Sequence, residues 1–505
     1  MVPRVLPGHV SGDLLFQQEL ARQHQCEMQQ GLGKPIISQF FQGQRLVAVG
    51  SRIYSSPRWK TFYDFLWYFI LQTFGQEWFK AEELKSESER HPVFQWHCLL
   101  VNYLKPLQKG GGQVFTANST GAVEAYCRLA YHLYLVSHNE ELPPSLVVRL
   151  KNKDQFRGAH HELYVAATFI KAGFTIEFED ESDELRTHCE FTVTHRESGK
   201  KFSVEAKARD RETTLIRGQL KKALAKQADH TRIVWFAINA AAEDQGAARA
   251  VLTKTLIELR AREGKVMIGN TLAPPAYVVV SNNPYSFALD TTRFAPSAFA
   301  EGFQIPDLKF DQKFSSVREM RLCRDKHREI HDLVHSMQAH HRIPTTFDGE
   351  DEAFAFGEVS NRLLIGSFYQ VPDGDRMVRA RLEGATVNLP QKTVLGFFRT
   401  ADEQNVMSVY PLSDAEIGAY LRHPATFFGV LDLNGKARDA LEFFDWMHRT
   451  YSRTPKEKLV EFVRGHPDEN ELQKLSQFDL AIRICEYWTD AAYLRGQTKE
   501  KEGDR

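Results

Sequence analysis

The stretch from residue 157 to residue 239 constrains the fold most, because the spacing of its apolar residues changes in a definite order. Apolar residues at helical spacing predict a helix over 157–171. Shorter alternating and apolar runs predict strands over 174–179, 189–195 and 201–208, followed by a helix over 216–228 and a strand over 232–239. Elements of these lengths in this order are expected to pack as one compact α/β unit.

Charged side chains within this unit fall at positions where they can meet. Glu162 lies in the apolar arc of the first helix, where an unpaired carboxylate would cost several kcal/mol, so a metal or a cation is expected beside it. Alternate residues of a strand point to the same face, so Glu205 and Lys207 share a face. The turn-forming run 196–200 predicts that their strand forms a hairpin with the strand of Glu190. We therefore expect two acids and a lysine to meet across neighbouring strands.

The order helix glutamate, strand glutamate, Glu-x-Lys, basic helix and strand resembles the PD-(D/E)XK nuclease superfamily, which has the restriction-endonuclease-like fold. The resemblance covers only the central part of the chain. It implies magnesium or manganese held by Glu162, Glu190 and Glu205, with the carbonyl of Ala206 as a further ligand. It also implies a catalytic set of Glu190, Glu205 and Lys207, in which the lysine helps to position the attacking water.

The chain departs from the family pattern at two places. Cys189-Glu190 stands where the family has Pro-Asp, and a glutamate reaches one methylene further than an aspartate. Gln219 is similar to a glutamine of the recombination-repair branch of the superfamily, but no tyrosine follows it at the next turn. The pattern therefore indicates the superfamily and leaves the branch open.

A basic surface is predicted beside the proposed metal site. The expected nucleic-acid contacts are Arg209, Arg211, Arg217, Gln219, Lys222 and Lys226. Such a surface can be an ordinary solvated helix face, but next to three acids and a lysine it fits the phosphate backbone of DNA. The formal net charge of -1 gives the whole protein no attraction to nucleic acid, so DNA binding has to come from this local patch.

The length of 505 residues predicts about three domains. We expect a mainly helical N-terminal domain over 1–149, an α/β domain of restriction-endonuclease-like type over 150–290, with a mixed sheet flanked by helices, and an α+β C-terminal domain over 291–505. The outer domains are the expected contact regions for a second copy of the chain or for a protein partner.

The remaining sequence predicts a cytoplasmic protein that does not contact membranes. Hydrophobic residues make up 42% of the chain and charged residues 26%, which is typical of soluble globular proteins. The six cysteines show no paired spacing, and the first residues lack a secretory apolar core, so we expect reduced thiols in the cytoplasm. The longest apolar run, 65–71, is too short for a membrane span.

Outside the central unit the sequence predicts further regular elements. A strand pair is expected near 45–54, and a long helix over 315–341 carries Cys323, His327, His331 and His335 at four-residue steps, which we interpret as a packed helix rather than a metal site. The predicted C-terminal strands are 362–371, 377–387 and 393–398. The predicted C-terminal helices are 415–423, 436–449, 455–463 and 469–494.

Three functional hypotheses follow. The favoured one is a magnesium-dependent DNA nuclease, which by analogy acts in defence against foreign DNA or in repair. The second is a catalytically inactive nucleic-acid-binding or scaffolding protein on the same fold. The third is that the glutamates only form structural salt bridges with Lys207 and Arg157.

Overall fold

The structure, a computed structural model, describes residues 5–6, 12–107, 114–179, 189–208, 217–238, 240–357, 362–432, 437 and 439–503. It shows a mixed α/β protein with many helices and several sheets, one of them mixed. Contacts between residues group the chain into two compact units, one formed by Met1–Pro306 with Asp332–Asp432 and the other by Asp307–His331 with Leu433–Arg505. The three predicted domains cut the chain at other points, and that division stays a prediction.

The N-terminal region is mainly helical. Its elements are β1 (Val5–Leu6), α1 (Gly12–Gln30), β2 (Ile37–Phe41), β3 (Gln44–Val49), β4 (Arg52–Ser56), α2 (Phe62–Phe74), α3 (Gln76–Glu83), α4 (Pro92–Leu104), α5 (Gly121–Asn139) and α6 (Pro144–Lys151). The predicted strand pair is present as β3 and β4, and β2 extends it to a three-stranded antiparallel sheet. Thr61 and Asp64 form a capping box that fixes the start of α2. Phe62 then packs edge-to-face on Tyr134 of α5, so these aromatic residues form core.

The central region contains every element predicted between 157 and 239, with small shifts at the ends. The elements are α7 (Phe156–Lys171), β5 (Phe174–Phe178), β6 (Phe191–His195), β7 (Lys201–Lys207), α8 (Arg217–Ala225), β8 (Thr231–Ala237), α9 (Gln245–Arg262), β9 (Met267–Ile268), β10 (Thr271–Leu272), β11 (Ala276–Asn282), a 3₁₀ turn (Pro284–Phe287) and β12 (Ser297–Phe303). Helix α9 and strand β12 are not among the elements predicted from the sequence.

These strands form a six-stranded mixed sheet in the order β12-β11-β8-β7-β6-β5. Strands β5, β6 and β7 are antiparallel neighbours, β7, β8 and β11 are parallel, and β12 is antiparallel to β11. Alternation along β8 sends Trp235 to the face covered by α7, where its ring contacts Tyr164 and Phe169. Val234 and Phe236 point to the opposite face and pack with residues of α8 and α9. The sheet therefore has two separately covered faces.

The C-terminal part departs from prediction in its helix boundaries. Its elements are α10 (Val317–Lys326), α11 (Arg328–Ala339), α12 (Glu352–Ala355), β13 (Phe368–Asp373), β14 (Arg376–Asn388), β15 (Thr393–Thr400), β16 (Asn405–Pro411), α13 (Asp414–Arg422), α14 (Ala440–Tyr451), α15 (Lys456–Phe462), α16 (Glu469–Leu472) and α17 (Gln477–Gly503). The single helix predicted over 315–341 is wrong, because the chain leaves helical geometry at His327, where φ is -115° and ψ is 33°. That buried histidine contacts the carboxylate of Asp307 at 3.3 Å. The spacing of apolar residues along the helix does not predict this tertiary contact.

Two further sets of elements complete the fold. Strands β1, β13, β14, β15 and β16 form a five-stranded antiparallel sheet within the first unit, and the sequence analysis did not predict β16. The second unit is helical, and Val317, Phe444 and Cys485 lie in its core. The helix predicted over 469–494 is two helices, α16 and α17. Within the described part of the chain, no helix combines the length and the apolar character that a membrane crossing requires.

Two glycines give a matched test of this packing. A methyl group at Gly121, the first residue of α5, would overlap the carbonyl oxygens of Ala288 and Tyr285, whereas one at Gly158 in α7 would meet no atom. We expect Gly121→Ala to lower the free energy of unfolding by about 1–3 kcal/mol, because backbone atoms would have to move. We expect Gly158→Ala to raise it by up to about 1 kcal/mol, through higher helix propensity. Urea unfolding measures both, and equal effects of the two substitutions would contradict the described backbone approach.

Candidate functional site

The predicted hairpin brings the two strand acids to the same end of β6 and β7. The strands are antiparallel, and the turn between them is closed by a 2.8 Å hydrogen bond from the amide of Gly199, which has a φ of +69°, to the carbonyl of His195. The ladder runs as far as the pair Phe191 and Val204. Glu190 immediately precedes Phe191, and Glu205 immediately follows Val204. The two carboxylates therefore start from neighbouring positions on adjacent strands.

Two lysines bind both of these carboxylates. The Nζ of Lys207 contacts the carboxylate of Glu205 and lies 3.5 Å from Oε1 of Glu190. The Nζ of Lys226, just after α8, lies 2.9 Å from Oε2 of Glu205 and 3.6 Å from Oε1 of Glu190. We call these four residues the acid–lysine cluster. It contains two negative and two positive charges, so it is balanced without any bound ion.

The cluster is buried at one residue and open at the other three. The side chain of Glu205 is 1% exposed, whereas those of Glu190, Lys207 and Lys226 are 23%, 24% and 25% exposed. Burial and the charge of Glu190 raise the pKa of Glu205, and the two lysines act against that rise. Burial acts to lower the pKa of Lys226, but Glu190 and Glu205 outweigh it and hold that pKa above its usual value. The cluster therefore keeps an ammonium group next to a carboxyl group that readily takes up a proton.

Glu162 does not join the cluster. Its carboxylate accepts two hydrogen bonds from Arg149 of α6, from Nη1 at 2.8 Å and from Nη2 at 3.1 Å. The cation expected beside this buried acid is thus a guanidinium. Within the described ranges, no group of three or more His, Cys, Asp or Glu side chains is arranged to hold a metal ion. The geometry brings together two of the three predicted acidic metal ligands, Glu190 and Glu205.

The other residues predicted around the metal pack against the strand ends. Cys189, in the place of the family's proline, is buried, and burial raises its pKa to about 12, so it is an unreactive thiol. Its Sγ lies 3.6 Å from the carbonyl oxygen of Gln227. Ala206, whose carbonyl was predicted as a ligand, pairs with Trp235 in the parallel ladder between β7 and β8.

The predicted nucleic-acid contacts have four different outcomes, and that of Lys226 is described in the next paragraph. Arg209 and Arg211 lie outside the described residues, as does the side chain of Arg217 at the start of α8. Gln219 donates from Nε2 to the carbonyl of Ala208 at 3.3 Å, which ties α8 to the end of β7. Lys222 is exposed and available to an anion.

Lys226 belongs to the acid–lysine cluster, a role that the sequence analysis missed. Its position after the other basic residues of that helix predicts a DNA contact instead. The available signal was the parallel β7–β8 pairing, since the short connection from α8 into β8 has to pass beside β7. A lysine in that connection can therefore reach an acid on β7.

Comparisons with known proteins were without a match: no family model fits the chain, and no curated protein and no solved structure matches it.

The Glu162–Arg149 pair gives a stability prediction. Replacing Arg149 by alanine leaves a buried carboxylate without its guanidinium, so we expect Arg149→Ala to lower the free energy of unfolding by about 3–5 kcal/mol. The exposed pair of Lys80 and Glu77, also 2.9 Å or less apart, is the matched control. We expect Lys80→Ala to cost less than about 1 kcal/mol, because water screens that pair. Urea titration measures both, and a loss at Arg149 no larger than that at Lys80 would show that Glu162 does not depend on Arg149.

Proposed function

We propose that the protein is a magnesium- or manganese-dependent nuclease that hydrolyses phosphodiester bonds of DNA, with the acid–lysine cluster as its reacting site. The observation that carries the proposal is that Lys207 and Lys226 each contact both Glu190 and Glu205. Two carboxylates that share two ammonium groups face a common point, which is where we place a divalent ion. Three of the four side chains also reach solvent, so a phosphate group has access to them.

The surrounding elements support the same proposal. The order of α7, β5, β6, β7, α8 and β8, and a mixed sheet with helices on both faces, agree with what the resemblance to the PD-(D/E)XK superfamily implies. The pairing of Glu205 and Lys207 on one face agrees with the spacing of the Glu-x-Lys motif. This support is confined to the central region of the chain.

The residues present fit magnesium with a smaller ligand set than the motif implies. Magnesium binds through one or two carboxylates and keeps several waters, so Glu190 and Glu205 suffice as acidic ligands, and the Ala206 carbonyl remains a proposed further ligand. When bound, the metal would lower the pKa of a coordinated water and neutralise charge on the phosphate. Glu162 is left out of the set, because Arg149 occupies both of its carboxylate oxygens.

The lysines act on the phosphate as cations. The Nζ of Lys207 contacts both carboxylates, so its positive charge lies where the phosphate would bind. Lys207 therefore orients the phosphate and stabilises the negative charge that develops on it. Lys226 holds Glu205 in its ionised form from the opposite side. Exposed Lys222 on α8 is suited to contact the phosphate backbone further along the DNA.

A second candidate function is a catalytically inactive nucleic-acid-binding or scaffolding protein. The specific observation in its favour is that the lysines already balance both acids while Arg149 engages Glu162, so the charges are satisfied without a metal. Calorimetric titration with magnesium separates the two candidates. Magnesium binding that Glu205→Gln removes supports the nuclease, and retained DNA affinity without magnesium binding supports the scaffold.

Biological setting and partners remain proposals. By analogy we propose a cytoplasmic role in defence against foreign DNA or in repair, with the regions outside the central sheet contacting a second copy or a protein partner.

The cleavage prediction uses conservative variants of the cluster. We expect Glu205→Gln and Lys207→Met each to reduce magnesium-dependent cleavage of a plasmid by about 100-fold or more, because each removes a charge that acts on the reacting phosphate. Lys221→Met changes an exposed lysine on α8 and should leave the rate unchanged. Gel assays of the four proteins measure the rates. Wild-type protein that cuts neither plasmid nor oligonucleotide, or variants as active as Lys221→Met, would refute the nuclease.

The raised pKa of Glu205 predicts the pH dependence of cleavage. The carboxylate has to be ionised to hold a metal, so activity should fall on the acid side at a higher pH than an ordinary glutamate would give. Lys226 acts to lower the pKa of Glu205, so we expect Lys226→Met to move this acid limb to still higher pH. A pH–rate profile at constant magnesium concentration, with Lys221→Met as the control, measures the shift. A limb that stays in place or moves to lower pH in Lys226→Met would contradict the assigned coupling.

A further inference from the structure

A cavity of about 880 Å³ lies in the first unit, among α4, α5, α7, the 3₁₀ turn and the end of α11. Its floor includes His161 and Tyr164 of α7, on the face of the sheet that carries Trp235. The acid–lysine cluster lies on the opposite face, since Glu205 pairs in register with Val234. The volume falls within the range of about 300–1,000 Å³ that is typical of small-molecule sites. The cavity is therefore a separate candidate site.

The charged side chains along this cavity are all basic. Arg128, Arg157, Lys171 and Arg342 line it, and among its described lining residues there is no aspartate or glutamate. Arg128 does pair with Glu124, at 2.8 Å, but that acid lies outside the lining. This lining favours an anionic ligand over a cationic one, because like charges repel.

Lys171 is the most informative of these residues. It is 6% exposed, and within the described residues its polar contact is the carbonyl of His340, 2.8 Å from Nζ. An ammonium group carries three protons, so this contact leaves donors for a ligand. Burial and the charge of Arg128 lower the pKa of Lys171 to about 7. A buried lysine in such surroundings destabilises the protein unless an anion binds to it.

A second buried polar group faces the same region. His132 lines the cavity at 4% exposure, and its Nδ1 has no hydrogen-bond partner among the described residues. Buried polar atoms without partners are uncommon in folded proteins and often mark a ligand position. Because burial lowers the pKa of His132 well below its usual value, the ring is neutral and offers one donor or one acceptor rather than a further charge.

Aromatic rings supply the rest of the wall. Phe156 stacks on His160 at 5.2 Å and 6°, Tyr285 contacts Phe294 edge-on at 4.8 Å, and Trp96 and Phe287 lie beside them. These rings pack on one another, and Arg128 lies over the Tyr285 ring at 4.5 Å. A free phosphate ion would use only the cations of the cavity. A planar heterocycle joined to a phosphate would use both, because bases stack on aromatic faces.

We propose that this cavity binds a nucleotide, with its phosphates toward Lys171 and Arg128 and its base against the aromatic wall. This function goes beyond the proposed nuclease activity and does not depend on it, because the two sites lie on opposite faces of the sheet.

The test is calorimetric titration of the full chain with each of the four ribonucleoside 5′-triphosphates, in EDTA so that no divalent metal contributes. We expect at least one of the four triphosphates to bind. The affinities of the matching nucleoside and of inorganic phosphate should each be about 100-fold lower, since each provides only half of the contacts. Failure of all four to bind would overturn the proposal. An affinity for inorganic triphosphate equal to that for the nucleotide would also overturn the proposal, because the site would then recognise only the negative charge.

Variants locate the binding. We expect Lys171→Met and Arg342→Ala each to lower the affinity for the nucleotide by about tenfold or more. Arg58 is exposed, and Arg58→Ala should leave the affinity unchanged. Lys207→Met, in the other site, should also bind as wild type, which separates this result from any outcome of the cleavage assay. Affinities that Lys171→Met and Arg342→Ala leave unchanged would place the ligand elsewhere and overturn the assignment.

A melting experiment checks that the Lys171 variant is folded. The lowered pKa means that the folded state binds the lysine proton less tightly than the unfolded state, so the ammonium opposes folding near neutral pH. Lys171→Met should therefore melt at a higher temperature than the free wild type while binding less nucleotide. Arg342 is exposed, so Arg342→Ala should leave the protein folded. If Lys171→Met melts at a lower temperature than the wild type, the affinity of Arg342→Ala for the nucleotide decides the test.

Discussion

The charge balance around Glu205 is the constraint on which the candidate site depends. A carboxylate that is almost fully buried at the end of a strand is costly, and a second carboxylate on the neighbouring strand adds repulsion. Lys207 and Lys226 offset both effects, because each ammonium contacts both acids. One lysine comes from the same strand as Glu205 and the other from the connection between α8 and β8. The sheet and the helix must therefore be packed before the cluster is stable.

The same constraint leaves the charges of the cluster open to solvent on one side. Glu205 is held inside, while Glu190, Lys207 and Lys226 keep about a quarter of each side chain in solvent. The buried acid fixes the position of the lysines, and the open side leaves their charges available. Protonation of Glu205 would leave Glu190 as the single carboxylate in contact with both lysines within the cluster.

The mixed sheet keeps two kinds of chemistry apart. Alternation along β7 and β8 directs Glu205 and Lys207 toward the face of α8, and Trp235 toward the face of α7. One face thus carries acids matched by lysines, and the other borders a cavity whose charged lining is basic throughout its described residues. Since the sheet separates the two faces, a ligand on one face would not compete with a ligand on the other.

The sequence by itself determined the local structure of the central region. Periods of 3.6 and 2 residues are local properties, so they placed α7, the three antiparallel strands, α8 and β8, and strand parity correctly put Glu205 beside Lys207. Tertiary structure alone decided which charges meet. Arg149 on α6 reaches Glu162, Lys226 reaches Glu205, and Asp307 contacts His327 where the predicted long helix breaks. These partners lie at distances along the chain that no periodicity encodes, because a contact between elements depends on how they pack and not on the spacing within either one.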